Sequence, residues 1–373
     1  MIRRQLESII QEKLQTGKAI ILLGPRQTGK TTLIKQVLSE LGEYIFFNCD
    51  NTLTRTLLES ANIQVLRQAI GNKKLVFIDE AQRVKNIGLS LKLIVDEIPD
   101  VSLFVTGSSS LELSNEINEP LTGRKWEYML YPISWQELTD FMGSHEAVLA
   151  LENRLIYGMY PEIITNQGDE RELLLQLSGS YLYKDLLEYK EIRKPDLIIK
   201  LLQALAFQVS SEVSFNELSG LLGVDKNTIY NYIDLLEKAF IIFRLNPLKR
   251  NLRNEISSSR KIYFYDNGIR NSLIANYNPL SLRNDIGALW ENFLISERVK
   301  YLKYNKIPAN SFFWRTHAQQ ELDYVEERGG KYYAFEFNWN PKKKVKASKT
   351  FTDAYPEHEF LTITSENFRS FIG

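Results

Sequence analysis

The hydrophobic and polar positions of the first 140 residues follow two alternating periods. Nearly continuous apolar runs recur as AIILLG, YIFFNC, KLVFID, SLFVTG and WEYMLYPI, and longer segments with helical periodicity separate them. Strands that are apolar throughout are typical of a parallel sheet, because helices cover both of its faces. The pattern therefore predicts an α/β core over residues 1–140.

The pattern changes after residue 150, where strand signals stop and helical periodicity takes over. The segments RELLLQLSGSYLYKDLLEYKEI and DLIIKLLQALAFQV both predict helices, and Pro195 lies in the first turn of the second helix, where proline is well tolerated. We expect a helical lid over residues 141–195 and a new unit after it.

The N-terminal segment MIRRQLESIIQEKL predicts an amphipathic helix that docks on the first domain. A helix lying on a membrane is the less favoured alternative, because acidic residues share its polar face. The apolar positions are Ile2, Leu6, Ile9 and Leu14.

Composition narrows the class of protein. The 373 residues suggest two to four domains, and 46 basic residues balance 46 acidic ones, so no overall positive field attracts nucleic acid or a membrane surface. No apolar run approaches the roughly 18 residues that a membrane span needs. The single cysteine, Cys49, excludes an intrachain disulfide and is interpreted as a core residue. We expect a cytoplasmic protein without a membrane partner.

The stretch GPRQTGKT, between the run AIILL and a helical segment, has the spacing of a phosphate-binding loop. Its glycines let backbone N–H groups point at phosphates, Lys30 would reach the β and γ phosphates, and the Thr31 hydroxyl would bind Mg²⁺. The predicted nucleotide-binding residues are Gly24, Pro25, Arg26, Gln27, Thr28, Gly29, Lys30, Thr31 and Thr32.

The segment KLVFIDE predicts the acidic half of the same site. Leu75–Ile78 would form a buried strand, with Asp79 holding Mg²⁺ through water and Glu80 orienting or deprotonating the attacking water. A strand followed by two acids is common by itself, but the pairing with an upstream phosphate loop is specific. The sequence therefore predicts ATP and Mg²⁺ as cofactors.

Two further segments are candidates for the same chemistry. In LFVTGSSS, Thr106 and Ser108 would lie at the carboxyl edge of the sheet and contact the γ-phosphate or the water, whereas Ser109 and Ser110 equally suit a helix-capping turn. Arg124, in LTGRKW, could stabilise charge on the transferred phosphoryl group, within the chain or across a subunit interface. A surface arginine is the alternative.

Together, GPRQTGKTTL, VFIDEAQR, FVTGSSSLEL, LTGRKWEYMLYPISWQEL and YGMYPEII resemble the prokaryotic AAA-superfamily ATPases that carry a C-terminal domain of unassigned function. The resemblance implies a parallel sheet of order 5-1-4-3-2, Ser108 as the sensor and Arg124 as the arginine of a Gly-Arg motif. It also suggests a ring or a dimer of identical subunits. Gly158 and Pro161 match a small-residue turn of the family, which we interpret as a structural bend.

The segment VSFNELSGLLGVDKNTIYNYIDLLEKAFIIFRL predicts a helix-turn-helix with its turn at Gly223, and IIFRLNP and KIYFYD would form a β wing. Such a domain contacts DNA or a protein, and both alternatives remain open. The candidate DNA contacts on the second helix are Lys226, Asn227, Thr228, Tyr230 and Asn231. Those in the wing loop are Lys249, Arg250 and Arg253.

The C-terminal segment predicts a nuclease-like domain. GALWENFLISERVKYL predicts an amphipathic helix, and a β-meander with a turn at Gly329-Gly330 follows it. The order Glu291, Asp323, Glu336 resembles the restriction-endonuclease-like core, where such carboxylates gather Mg²⁺.

One position departs from the nuclease pattern. Asn338 stands where the lysine is expected, and an amide cannot supply its charge; rescue by Lys342, Lys343 or Lys344 is speculative. We therefore expect a domain that is inactive or recruited for binding, although simple solvation of carboxylates at a strand edge is a further explanation.

These inferences combine into one hypothesis. We expect an ATPase whose C-terminal half binds DNA or a protein partner; the alternatives are a nucleotide-controlled switch or scaffold with negligible turnover and an ATP-regulated nuclease. The predicted divisions are an ATPase core over 1–140, a lid over 141–195, a winged helix over 196–275 and a nuclease-like domain over 276–373.

Overall fold

A computed structural model describes residues 1–14, 16–108, 117, 120–182, 195–249, 260–316, 318–343 and 345–373. The chain forms two compact units. The first contains Met1–Ile133 and Lys238–Phe240, and the second contains Ser134–Glu237 and Ile241–Gly373.

The first unit alternates strands and helices, as the apolar pattern predicts. Its helices are α1 Leu6–Glu12, α2 Lys30–Leu41, α3 Thr52–Glu59, α4 Ile63–Ile70 and α5 Ile87–Glu97. Its strands are β1 Ala19–Leu23, β2 Tyr44–Asn48, β3 Leu75–Asp79, β4 Ser102–Gly107 and β5 Lys125–Met129.

The five strands form one parallel sheet of order β2-β3-β4-β1-β5. This is the predicted order 5-1-4-3-2 written from the other edge, so the predicted α/β fold is confirmed. Every residue of β1 is buried, as a fully apolar central strand requires. Because all strands run the same way, the residues that follow β1, β3 and β4 meet at one edge of the sheet.

Helix α1 packs on the first unit, which confirms the predicted docking. Ile2, Leu6 and Ile9 are buried, and Leu14 is half-buried just beyond the helix. Cys49 is also buried, as predicted, and burial raises the pKa of its thiol to about 12. Within the described parts of the chain, no helix combines the length and the apolar character needed to cross a bilayer.

The second unit is richer in helices near its start and contains a larger sheet. Its helices are α6 Trp135–Met142, α7 Ser144–Leu149, α8 Leu151–Tyr157, α9 Pro161–Thr165, α10 Glu170–Gln176, α11 Pro195–Phe207, α12 Phe215–Leu222, α13 Lys226–Lys238, α14 Asn267–Leu273, α15 Ile286–Tyr304, α16 Lys349–Ala354 and α17 Arg369–Ile372. Its strands are β6 Glu212–Val213, β7 Ile242–Pro247, β8 Arg260–Phe264, β9 Asn310–Arg315, β10 Glu321–Arg328, β11 Lys331–Asn338 and β12 His358–Thr364.

The turn after α8 shows why a glycine stands at residue 158. Gly158 has a φ of 78°, and a Cβ atom there would lie 2.0 Å from Oδ1 of Asp266. The same carboxylate accepts a hydrogen bond of 2.6 Å from the N–H of Met159. The predicted structural bend is confirmed, because the backbone must approach Asp266 more closely than any side chain permits.

A seven-stranded sheet of order β12-β11-β10-β9-β7-β8-β6 runs through the second unit. Strands β9, β10 and β11 form the predicted meander, and Gly329 and Gly330 make its tight turn with φ values of 56° and 80°. Strand β7 pairs with β9 in parallel. The strands of the predicted wing and of the predicted nuclease-like domain therefore belong to one sheet.

The helix-turn-helix segment folds as α12 and α13, with Gly223 between them in the left-handed region at φ 65°. Strands β7 and β8 pair antiparallel, and β6 pairs with β8. This arrangement is compatible with a winged helix, which stays a prediction, as do the four domain boundaries. Residues 250–259 of the predicted wing loop lie outside the described residues.

Helix α15 differs from the sequence expectation. The predicted helix is present, but it is buried around most of its circumference, so the expectation of an amphipathic helix was wrong. Three of its charged side chains are buried, and each is paired: Arg298 with Glu326 at 2.6 Å, and Lys300 with Glu297 at 2.6 Å. In the sequence, charged residues that pair inside a fold cannot be distinguished from those of a solvent-exposed polar face.

Candidate functional site

The loop between β1 and α2 has the backbone that phosphate binding requires. Gly24 adopts a φ of 148°, and a Cβ atom there would lie 2.2 Å from the carbonyl oxygen of Leu130. Gly29 is left-handed at φ 91° and begins α2. Both positions therefore need glycine, one for close packing and one for its backbone conformation. The loop leads into the N-terminus of α2, which favours anions.

The side chain of Lys30 lies inside this loop and is buried. Its ammonium donates hydrogen bonds to the carbonyl oxygens of Gly24 at 2.9 Å and Pro25 at 2.8 Å. The hydroxyl of Thr28 also donates to the Pro25 carbonyl, at 2.9 Å. The loop thus surrounds the amine that the sequence predicts to contact phosphate.

Thr31 and Asp79 lie in direct contact, although 48 residues separate them in the chain. The Thr31 hydroxyl is 3.0 Å from each carboxylate oxygen of Asp79, and the hydroxyl of Thr106 also donates to this carboxylate. Burial raises the pKa of Asp79, while the two hydroxyl contacts oppose the shift. Hydroxyl and carboxylate oxygens side by side are the ligands that Mg²⁺ prefers, so these residues fit the predicted ion.

Glu80 continues the same row of polar groups. Its backbone is left-handed at φ 54°, and its N–H donates to the hydroxyl of Thr106 at 3.3 Å. The amide of Gln82 donates to the Glu80 carboxylate at 2.5 Å and to the Ser108 hydroxyl at 2.8 Å. Gln82 therefore bridges the predicted catalytic acid and the predicted sensor. The sequence analysis missed Gln82; its place two residues after the acid was the available signal.

Arg4 is a second residue that the sequence analysis missed. It precedes α1, yet its guanidinium donates to the carbonyl oxygen of Thr28 at 2.6 Å and to that of Tyr131 at 2.7 Å. The side chain is buried, so both contacts are charge-assisted bonds in a protected environment. Arg4 thus joins the phosphate loop to the segment that follows β5. No sequence signal distinguishes it from its neighbour Arg3.

Arg124 does not join this group within one chain. It directly precedes β5, whose Lys125 is paired with Ala19 at the start of β1, and the phosphate loop begins at the other end of β1. Five residues of strand span about 16 Å. The guanidinium instead contacts the Asp96 carboxylate at 2.6 Å. In this structure Arg124 therefore lies away from the phosphate loop of its own chain, and its catalytic role stays a prediction.

Comparisons with known proteins agree with this geometry. Residues 16–139 match the family model described as an AAA domain. A solved structure, titled as a Walker-type ATPase of Pyrococcus abyssi, is similar over 74% of this chain and 96% of that one, with a TM-score of 0.52 and 18% identity. The first unit has the fold of a P-loop ATPase. This P-loop unit contains all of the nucleotide-site contacts described above.

The rest of the chain matches families without an assigned role. Residues 148–280 and 286–371 match two models described as domains of unknown function, DUF8612 and DUF4143. An uncharacterized protein of Mycobacterium tuberculosis is 26% identical over 90% of this chain and 73% of its own length. An uncharacterized protein of Methanocaldococcus jannaschii is 25% identical over 97% of this chain and 85% of its own. Sequence similarity over most of this chain therefore extends to proteins of a bacterium and an archaeon.

The predicted second Mg²⁺ site has a different arrangement from the one expected. Glu291 of α15, Asp323 of β10 and Glu336 of β11 come together, but the ammonium of Lys261 lies 3.0 Å from Glu291 and 2.6 Å from Glu321. Across the described ranges, no group of three or more His, Cys, Asp or Glu side chains is placed to hold a metal. These residues do not match a metal site, because Lys261 already pairs with Glu291 and with the neighbouring Glu321.

The structure describes some of the residues predicted to contact DNA. Lys226, Asn227 and Tyr230 are exposed on α13, and Lys249 is exposed after β7. The guanidinium of Arg244 lies 5.6 Å from the centre of the Tyr230 ring. Arg250 and Arg253, like Ser109, Ser110 and Lys344, lie outside the described residues. The helix therefore presents polar and aromatic side chains outward, and their contact with DNA stays a prediction.

The contact between Arg4 and the phosphate loop yields a test. Arg4→Ala removes the charged donor to the Thr28 carbonyl, so the loop is less preorganised, and we expect the Kd for a fluorescent ATP analogue to rise about 10-fold. Arg3→Ala is the matched control, because Arg3 is exposed and contacts only Glu7 among the ion pairs described. Equal affinities for the wild type and Arg4→Ala would contradict the assigned role.

Proposed function

We propose that this protein hydrolyses ATP with Mg²⁺ in its P-loop unit and transmits the result to a C-terminal half that binds DNA or a protein partner. The observation that supports hydrolysis is the position of Glu80. It directly follows Asp79, which contacts Thr31 of the phosphate loop, and its carboxylate is held by Gln82. An acid beside the magnesium ligand is what activation of water requires.

Each residue of the site has a role in this proposal. Lys30 would exchange its loop carbonyls for the β and γ phosphates, and the backbone N–H groups of the loop, which Pro25 lacks, would surround them. Thr31 and Asp79 would hold Mg²⁺, which when bound neutralises charge on the phosphates. Glu80 would orient the attacking water, and Ser108 would sense the γ-phosphate through Gln82. The single cysteine supports the proposed cytoplasmic location.

The role of Glu80 can be separated from nucleotide binding. Glu80→Gln keeps the size and the hydrogen-bonding reach of the side chain but removes its negative charge, so we expect unchanged affinity for ATP and a kcat at least about 100-fold lower. Steady-state release of phosphate and ATP titration measure the two properties. Lys30→Ala is the comparison, because it should lose binding as well.

The result also decides between two functions. Normal turnover by Glu80→Gln would show that another group activates the water. Negligible turnover by the wild type itself would favour the alternative of a nucleotide-controlled switch or scaffold.

We assign Arg124 a role only at the nucleotide site of a second copy of the chain. It lies at the amino edge of the sheet, is partly exposed, and pairs with Asp96. A guanidinium in that position is accessible to a neighbouring subunit, where it could stabilise charge on the phosphoryl group. We therefore propose that the ATPase is a homo-oligomer with Arg124 acting in trans.

Mixing two inactive variants tests this arrangement. Arg124→Ala should bind ATP and lose most hydrolysis, and Lys30→Ala should not bind ATP but still supplies Arg124. We expect the mixture to regain part of the wild-type rate, because mixed interfaces then contain one complete site. Phosphate release by each variant alone and by mixtures at several ratios measures it. A mixture that is no faster than the sum of its components would exclude action in trans.

The C-terminal half is proposed to contact the partner through α13. Lys226, Asn227 and Tyr230 project from the exposed part of this helix and suit phosphate and base-edge contacts. The overall charge of the chain is zero, so binding would depend on this local surface.

Hydrolysis in the presence of duplex DNA distinguishes DNA from a protein partner. If DNA is the partner, we expect faster steady-state turnover with DNA, and the acceleration should fall when Lys226 and Asn227 are both changed to Ala or when salt is raised. Turnover that is the same with and without DNA would favour a protein partner. The double variant measured without DNA is the control for the basal rate.

A further inference from the structure

Lys261 is a buried lysine that belongs to no predicted motif. It lies on β8, is 1% exposed, and contacts Glu291 of α15 at 3.0 Å and Glu321 of β10 at 2.6 Å. The neighbouring Tyr263 donates its hydroxyl to the same Glu291 oxygen at 2.6 Å. A lysine side chain is almost never removed from water unless groups of opposite charge surround it. The acids around Lys261 therefore make its burial possible.

The acids around Lys261 are the ones that resemble a nuclease centre. Asp323 and Glu336 face the same region: the Asp323 carboxylate accepts from the N–H of Phe337 at 2.8 Å, beside Glu336. Burial raises the pKa of Glu336 to about 8, and the charges of Asp323 and Glu321 add to the shift, whereas Lys261 opposes it. Four carboxyl groups therefore share a buried region, in which a nearby positive charge favours their ionised forms.

The contacts indicate which positive charge is present. Lys261 reaches two carboxylates from different elements at hydrogen-bond distances, as an ammonium with three donors can. Arg315 adds a more exposed charge, 3.8 Å from Glu321 and 3.3 Å from Glu212. Asn338, at the position of the usual catalytic lysine, brings no charge. The buried cation of this centre thus comes from β8, a strand of the predicted wing. The exposed Lys343, which lies beyond the strand that carries Glu336, also opposes the rise in the pKa of Asp323.

We propose that Lys261 is the permanent counter-ion of the acidic centre formed by Glu291, Glu321, Asp323 and Glu336, in the place where a metal nuclease would bind its divalent cation. The centre then has a structural role, because its ion pairs hold β8, α15 and the meander together. This inference is independent of ATP hydrolysis, and it predicts no Mg²⁺-dependent nuclease activity at this centre.

Binding of Mn²⁺ to the full chain tests the proposal directly. Asp79→Asn without nucleotide serves as the background, since it removes the P-loop site, and the free Mn²⁺ signal in electron paramagnetic resonance reports binding. With Lys261 present, we expect no Mn²⁺ bound at this centre. Mn²⁺ binding that is lost on Glu336→Gln would overturn the proposal, whatever the behaviour of other variants.

Replacement of the lysine gives a second, independent measurement. In the same background, Lys261→Gln leaves the acids without their cation, so we expect the Tm to fall by about 10 °C and Mn²⁺ to restore much of it. The restoration should disappear in Lys261→Gln combined with Glu291→Gln. An unchanged Tm for Lys261→Gln would overturn the counter-ion role.

Lys300 supplies a matched control in the same unit. It is equally buried and paired with Glu297 at 2.6 Å, but it lies outside the acidic centre. Lys300→Gln should also lower the Tm, and Mn²⁺ should not restore it, which distinguishes metal binding at the centre from general stabilisation by the ion. Equal restoration of both variants by Mn²⁺ would count against the proposal.

Discussion

The parallel order of the strands is the constraint on which the site in the P-loop unit depends, and the contact between Thr31 and Asp79 is its clearest result. The two residues follow strands that are not neighbours: β4 lies between β1 and β3. They meet because all three strands are parallel, so that the end of each lies at the same edge. The order of the sheet thus places a hydroxyl and a carboxylate 3.0 Å apart, next to the loop that holds Lys30. If β3 ran antiparallel to β1, Asp79 would lie at the opposite edge of the sheet, one strand length away from Thr31.

In each unit, a buried basic side chain contacts groups that lie far from it in the sequence. In the P-loop unit, Arg4 reaches the Thr28 carbonyl from the segment before α1. In the second unit, Lys261 reaches the acids of α15 and β10 from β8. Each is buried, and each satisfies groups that would otherwise be costly to remove from water. These long-range contacts join segments that the sequence presents as separate features, and they give two otherwise ordinary basic residues a defined role.

The same parallel order explains the position of Arg124. A residue that precedes a parallel strand must lie at the edge opposite to the phosphate loop, so the distance within one chain follows directly from the pairing of Lys125 with Ala19. The proposed role in trans is consistent with that geometry. The second unit is organised differently, because its single mixed sheet connects the helix-turn-helix segment to the meander. A signal that reaches α13 would therefore act on a continuous sheet rather than on a separate module.

Local patterns in the sequence were sufficient to predict several features of the fold and of the nucleotide site. Runs of apolar residues predicted the strands of the P-loop unit, the spacing of Gly24, Gly29 and Lys30 predicted the loop, and the resemblance predicted the strand order. Which charged side chains contact one another could be seen only in the folded chain. Arg4 and Lys261 have no local signature, and helix α15 looked amphipathic because its buried ion pairs have the composition of a solvated face. The periodicity of a sequence shows where polar side chains occur. It cannot show which group each of them contacts, because that depends on residues far apart in the chain.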